Sequence, residues 1–165
     1  MTYPSPTLYM LCGKIASGKS TLAARLARAP GTVLIVEDEW LHVLFADALR
    51  SPSDYVDYSS RLRRVVAPHV VKLLNAGLSV VLDFPANTVT QRDWLRGILD
   101  QTDAAHQLHV LDVSDAICLA RLKARNHRGD HPFEVSEAQF RQFTRHFVEP
   151  TPEEGLHEVR HSEGA

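Results

Sequence analysis

An α/β fold built on a parallel sheet is predicted by two observations. Short, almost continuously apolar runs recur at residues 7–12, 32–36, 78–82 and 107–113, as expected of strands covered on both faces. Between them lie longer stretches of helical period at 19–28, 38–49, 55–75, 90–101, 114–126 and 136–147. Several of these open on Asp, Ser or Thr, whose side chains accept hydrogen bonds from unpaired first-turn amides. Strand then helix, repeated, is the order that threads a parallel sheet. A fifth short strand is expected at 156–159, inside a polar tail, 151–165, that reads as frayed. With 165 residues, 44% of them apolar, the chain is long enough for one well-cored domain spanning 1–165 and short for two.

Charge and composition narrow the partners. Eighteen Lys and Arg against twenty Asp and Glu leave a net charge of -2, so no global positive field draws in a nucleic acid or an anionic membrane. The apolar runs fall far short of the roughly 20 residues a membrane span needs, and the N-terminus lacks the basic-then-apolar pattern of a secretory signal. A cytoplasmic protein, monomer or homodimer, is expected. Cys12 and Cys118 have no metal-ligand spacing and read as buried free thiols.

The first apolar run ends in Gly13-Lys14-Ile15-Ala16-Ser17-Gly18-Lys19-Ser20, which fits the phosphate-binding pattern G-x-x-x-x-G-K-[ST]. Its glycines allow successive N–H groups to converge on phosphate oxygens, and the helix that follows adds unpaired amides and the positive end of its dipole. Lys19 supplies a charge for the β- and γ-phosphates, the Ser20 hydroxyl is placed to ligate Mg²⁺, and Thr21 is the less favoured ligand one position on. The strand-loop-helix setting is the one the motif requires.

Three further constellations fall at the same sheet edge, where ligands of open α/β sheets gather. Asp38, in Glu37-Asp38-Glu39 after the second run, suits a general base or an acceptor-binding group, and equally an N-cap of the following helix. Asp83 ends Val80-Val81-Leu82-Asp83, and a carboxylate at the end of a buried strand needs a partner that a metal ion beside the phosphate loop would supply. Asn87 and Thr88 follow it, as acceptor-side groups or as a turn. After the fourth run, Arg121 and Arg125 share a helix face and Arg128 precedes the break at Gly129. Such arginines can bring charge to a phosphoryl group from a lid at about 126–135, with Arg121 also able to stack on a base.

Together these motifs resemble the small P-loop kinases of the adenylate kinase-like superfamily. The detail of "LDFPANTVTQRDWLR" and "RLKARNHRGDHPFEVSEAQF" is similar to bacterial AAA-type ATP-binding proteins related to polynucleotide kinase, chloramphenicol phosphotransferase and zeta toxin. The resemblance spans about residues 8–150. It implies a three-layer α/β/α P-loop fold with strand order 2-3-1-4-5, ATP and Mg²⁺ as cosubstrate, and transfer of the γ-phosphoryl to a hydroxyl. On this resemblance Lys19, Asp38, Arg125 and Arg128 carry the catalytic roles and Ser20 with Asp83 the metal.

Other readings weigh less. His127 and His131 are spaced like a helical metal pair, but the helix is expected to end between them and no third ligand follows. Arg61, Arg63 and Arg64 read as a solvated face opposite Leu62, Val65 and Val66 rather than as a nucleic-acid strip. No Asn-Lys-x-Asp guanine motif occurs, which favours ATP over GTP. The sequence thus points to an ATP-dependent kinase acting on a small-molecule hydroxyl. A polynucleotide or nucleoside kinase, or a nucleotide-regulated ATPase or binding module, are the alternatives.

Overall fold

The computed structural model describes residues 4–129, 131 and 133–162. Its five strands are β1 (Thr7–Cys12), β2 (Thr32–Val36), β3 (Ser79–Pro85), β4 (Ala105–Asp112) and β5 (Glu158–Ser162). They form one all-parallel sheet in the order β2-β3-β1-β4-β5. The helices are α1 (Lys19–Leu26), α2 (Glu37–Phe45), α3 (Pro52–Asn75), α4 (Val89–Leu99), α5 (Asp115–Arg128) and α6 (Glu137–Arg145). The architecture and strand order are those of a P-loop nucleotide-binding protein.

The central strand explains the layering. Leu8, Met10 and Cys12 alternate onto one face of β1 and pack with Leu62, Val66, Val70 and Leu74 of α3 and Leu95 and Ile98 of α4. Leu11 points to the other face, against Leu22 and Ala23 of α1. Both faces are covered, which is why the strands read as unbroken apolar runs. Cys12 and Cys118 are buried free thiols, as expected. Among the described residues no helix is long and apolar enough to cross a membrane.

Several features differ from the sequence reading, and the following have a physical reason. β3 runs on through Asp83 to Pro85, because Val36 of β2 still pairs with Asp83 while β1 skips from Leu82 to Pro85 across a bulge. Through residue 162 the tail is structured rather than frayed: a 3₁₀ turn at Pro152–Glu154 leads into β5, which sits at 158–162 rather than 156–159 and is hydrogen-bonded along β4. α5 continues to Arg128 and stops on Gly129 in the left-handed conformation, so the first residues assigned to the lid are helical. Asp130 and Pro132 of that lid lie outside the described residues. On α3, Arg63 turns inward and Val65 is left 67% exposed, which reverses their assigned faces.

Candidate active site

The P-loop is shaped by its backbone. Ala16 (φ 61°) and Gly18 (φ 102°) are left-handed, a conformation costly for most residues and free for glycine. A Cβ on Gly13 would come within 2.6 Å of Ser17 Oγ, so the loop closes on itself too tightly for a side chain there. The N-cap of α1 is Gly18, which offers no side-chain acceptor, and the first-turn amides of α1 open at the cleft. Ser17 Oγ is buried and has no partner among the described residues. Uncapped amides, an orphaned hydroxyl and a turn with no room for a side chain at Gly13 form a cradle that fits a chain of phosphates.

Lys19 folds back over this loop, its Nζ donating to the carbonyls of Gly13 (2.5 Å) and Lys14 (2.8 Å). Burial lowers its pKa, an effect that an anion in the cradle would offset. Ser20 Oγ donates to Asp83 Oδ2 at 2.7 Å, which joins the two residues assigned to the metal. No group of three or more acidic, His or Cys side chains with metal-binding geometry occurs among the described residues. A Mg²⁺ at Ser20 and Asp83 would therefore take its remaining ligands from phosphate and water, as that ion commonly does.

The cleft above the loop, about 800 Å³, is lined by Ile15, Ala16, Gly18, Lys19, Ser20 and Thr21 on one side. Asp38, Asp83, Arg121, Arg125 and Arg128 line it as well. Three predicted phosphate-loop residues do not line it. Gly13 donates its N–H to Asn87 Oδ1 at 2.8 Å, Ser17 is buried beneath the loop, and the Lys14 ammonium pairs with Asp115 on α5 at 2.7 Å. Arg121 braces the loop from above, Nη1 donating to Ser17 O at 3.2 Å.

Asp38 occupies the first turn of α2, whose N-cap is Val36 without a side-chain cap bond. The capping alternative is thereby corrected: Asp38 stands two residues past the N-cap, inside the helix. Its carboxyl is pushed up to about 6, first by burial and then by Glu37 and Asp83, against the pull of Lys19 and Arg125. The side chain keeps 40% of its surface, and that surface opens into the cleft, whose walls limit its hydration. His131 of the lid lies 3.8 Å away, Nε2 to Oδ2.

Several residues of this region were not singled out from the sequence. Glu37 is 1% exposed and its carboxylate receives Tyr55, Ser59 and Arg63 from α3. Arg92 is fully buried, holding Glu154 at 2.7 Å together with the carbonyls of Ala86 and Val148. Its position three and six residues before Leu95 and Ile98 is the signal that it shares their buried stripe. Asn87 and Thr88 have structural duties, the first on Gly13 and the second as the N-cap of α4 in a capping box.

An all-parallel sheet of this order with a P-loop after β1 and carboxylates after β2 and in β3 defines a P-loop kinase-like nucleotide-binding protein. The chain belongs to the AAA domain family, whose match covers residues 8–150. No curated protein matches it. Among solved structures, it is similar to a provisionally named kinase of Chloroflexus aurantiacus, with a TM-score of 0.74, 18% identity, and 96% of this chain and 85% of the other covered. It is also similar to the Mycobacterium tuberculosis APS kinase CysC in complex with AMPPNP and APS (TM-score 0.65, 19% identity, 99% and 91% covered). A third similar structure is Chaetomium thermophilum Kti12 in complex with ADP-AlF3 (TM-score 0.69, 15% identity, 94% and 89% covered).

Proposed function

We propose that this protein is an ATP-dependent phosphotransferase that moves the γ-phosphoryl group onto a hydroxyl of a small molecule, with residues 1–165 working as one kinase domain. The observation that carries the reading is Asp38. A carboxyl whose pKa is raised to about 6 opens into the same cleft as the phosphate loop, where it can meet an acceptor. A general base works best with a pKa near the working pH. Bound Mg²⁺·ATP would supply the phosphoryl group and the charge that binds it to the loop.

Each side chain then has a separate task. The amides of residues 15–21 and the Lys19 ammonium bind and orient the phosphates. Ser20 and Asp83 are the protein's contribution to the metal site. Asp38 holds the acceptor hydroxyl and takes its proton. Arg125 and Arg128 bring positive charge from the end of α5 as the lid excludes water, and Arg121 flanks the nucleotide. A nucleotide-regulated binding module is the rival reading, and the likeness to Kti12 supports it only at the level of fold. That reading leaves Asp38 with no proton to accept. A nucleic acid acceptor is disfavoured by the net charge of -2.

The test is incubation with labelled ATP, Mg²⁺ and hydroxylated acceptors of several kinds: nucleosides, RNA 5′ ends, sugars and aminoglycosides. Transfer of label to one class of small molecule is expected. Tight ATP binding with no transfer to any acceptor would favour the binding module instead.

A further inference from the structure

Beside Asp38 stands a cluster that the proposed chemistry leaves unused. Tyr55 Oη donates to Glu37 Oε1 at 2.5 Å, and Ser59 Oγ donates to Oε2 at 3.2 Å. Arg63 donates to the same oxygen through Nε (3.3 Å) and Nη2 (3.2 Å). Its guanidinium also lies over the Trp94 ring, 5.3 Å from the centroid. Four donors converge on one carboxylate, so Glu37 acts there only as an acceptor. The phenol proton of Tyr55 is thereby committed to Glu37. Burial and the same carboxylate hold the Tyr55 pKa well above its ordinary value, which keeps that proton in place.

The consequence concerns the other side of the phenol oxygen. Tyr55 lines the cleft together with Asp38, and no group among the described residues donates a hydrogen bond to its oxygen. With its proton spent, Oη can meet a ligand only as an acceptor. Asp38, as a carboxylate, is likewise only an acceptor. Two oxygens of one cleft that can only accept call for a ligand with two donors. One is the hydroxyl to be phosphorylated, facing Asp38. The other is a hydroxyl or amine facing Tyr55.

We infer that Tyr55, held by Glu37, is a specificity residue that selects acceptors bearing a second hydrogen-bond donor in addition to the reacting hydroxyl: diols or amino alcohols rather than isolated alcohols. This rests on the phosphotransferase reading and narrows its substrate class. A ligand without the second donor leaves a desolvated phenol oxygen unpaired, which costs more than the bond itself contributes. Arg63 and Ser59 act through Glu37 by fixing the carboxylate that takes the phenol proton, so they are positioning residues.

The experiment uses matched probe pairs that differ by that donor: ribose with 2-deoxyribose, glucosamine with 2-deoxyglucose, and adenosine with 2′-deoxyadenosine. Transfer from labelled ATP is measured with the wild-type chain and with Tyr55→Phe, alongside ATP affinity as a check that the fold and the P-loop persist. The donor-bearing member of at least one pair is expected to have a kcat/KM about tenfold or more above its partner. In Tyr55→Phe that ratio should fall to near one, as the donor-lacking member is relieved of the unpaired oxygen and the donor-bearing member loses its partner, with ATP affinity kept. Equal use of both members of every phosphorylated pair by the wild-type chain would overturn the inference, as would a ratio that survives in Tyr55→Phe. If Tyr55→Phe loses ATP affinity, Glu37→Gln takes its place: the amide can turn its donor toward the phenol and free the phenol proton, so the ratio should again fall, and an unaltered ratio contradicts the inference. No transfer to any probe while ATP still binds counts against the phosphotransferase reading itself.

Discussion

The two walls of the cleft are made of different materials. The P-loop wall is main chain: amides of the loop and of the first turn of α1, with backbone conformations set at Ala16 and Gly18. The wall around Glu37 is side chain, a buried carboxylate tied to three residues of α3 by bonds spanning 18, 22 and 26 positions of sequence. Amides present the same face to any phosphate chain, so the first wall has little power to discriminate. The second has fixed donors and acceptors, so it is where selectivity resides. The walls also differ in what holds them. The loop is braced by local turns and by Asn87, whereas the Glu37 cluster is part of the packing of α2 on α3.

That difference sets the order of the expected effects. Lys19→Ala removes the charge that balances the phosphates, so phosphoryl transfer should drop by roughly 10³ or more while circular dichroism stays native. Wild-type turnover in this variant would remove the P-loop from the chemistry. Arg63→Ala should act on the fold instead, because it leaves the Glu37 carboxylate buried without its ion-pair partner. A loss of about 3–5 kcal/mol in denaturant unfolding is expected, and a loss below about 1 kcal/mol would show that the cluster is dispensable for packing. Arg125→Ala should lower kcat by about tenfold with a smaller change in the KM for ATP; a change in KM alone would move Arg125 into ground-state binding. The smallest effect belongs to Lys14, whose pair with Asp115 is 25% and 48% exposed. Lys14→Ala should cost less than about 1 kcal/mol, and a larger loss would mean that the pair shapes the loop.

What was legible in the sequence follows the same division. The P-loop and the placement of Asp38 and Asp83 at the cleft could be read because each depends on neighbours within a few positions of one strand-loop-helix unit, whereas the strand order came only with the family resemblance. Glu37 passed unnoticed beside Asp38, since its partners sit on a different helix; Tyr55 and Ser59 do share the helical stripe of Leu62, Val66 and Val70, but nothing local marks a buried acid opposite them. Arg63 was even assigned to the solvent face, because an arginine next to Leu62 reads as polar until a buried acid is known to await it. Arg92 went unremarked for a similar reason, its partners Glu154 and Val148 lying far along the chain. The roles of Asn87 and Thr88 depended on contact with Gly13 and on the start of α4, and only the second had a local signature, Thr88 with Gln91 three residues on.

The most direct test of the central claim is Asp38→Asn followed across pH. In the wild-type chain kcat/KM for the acceptor should rise with pH through about 6, as the Asp38 carboxyl ionises and becomes a base. The same shift has a consequence for stability. A folded pKa above the unfolded value of 3.8 means that the folded state holds this proton more tightly. The contribution of this group to stability is therefore full below about 4 and declines as pH rises through about 6. Asparagine neither titrates nor accepts the proton. Asp38→Asn should thus retain ATP affinity, melt no lower than wild type at neutral pH, lose the rise near pH 6, and transfer phosphoryl groups about 10² or more slowly. Transfer at the wild-type rate, with the rise near pH 6 intact, would contradict Asp38 as the base.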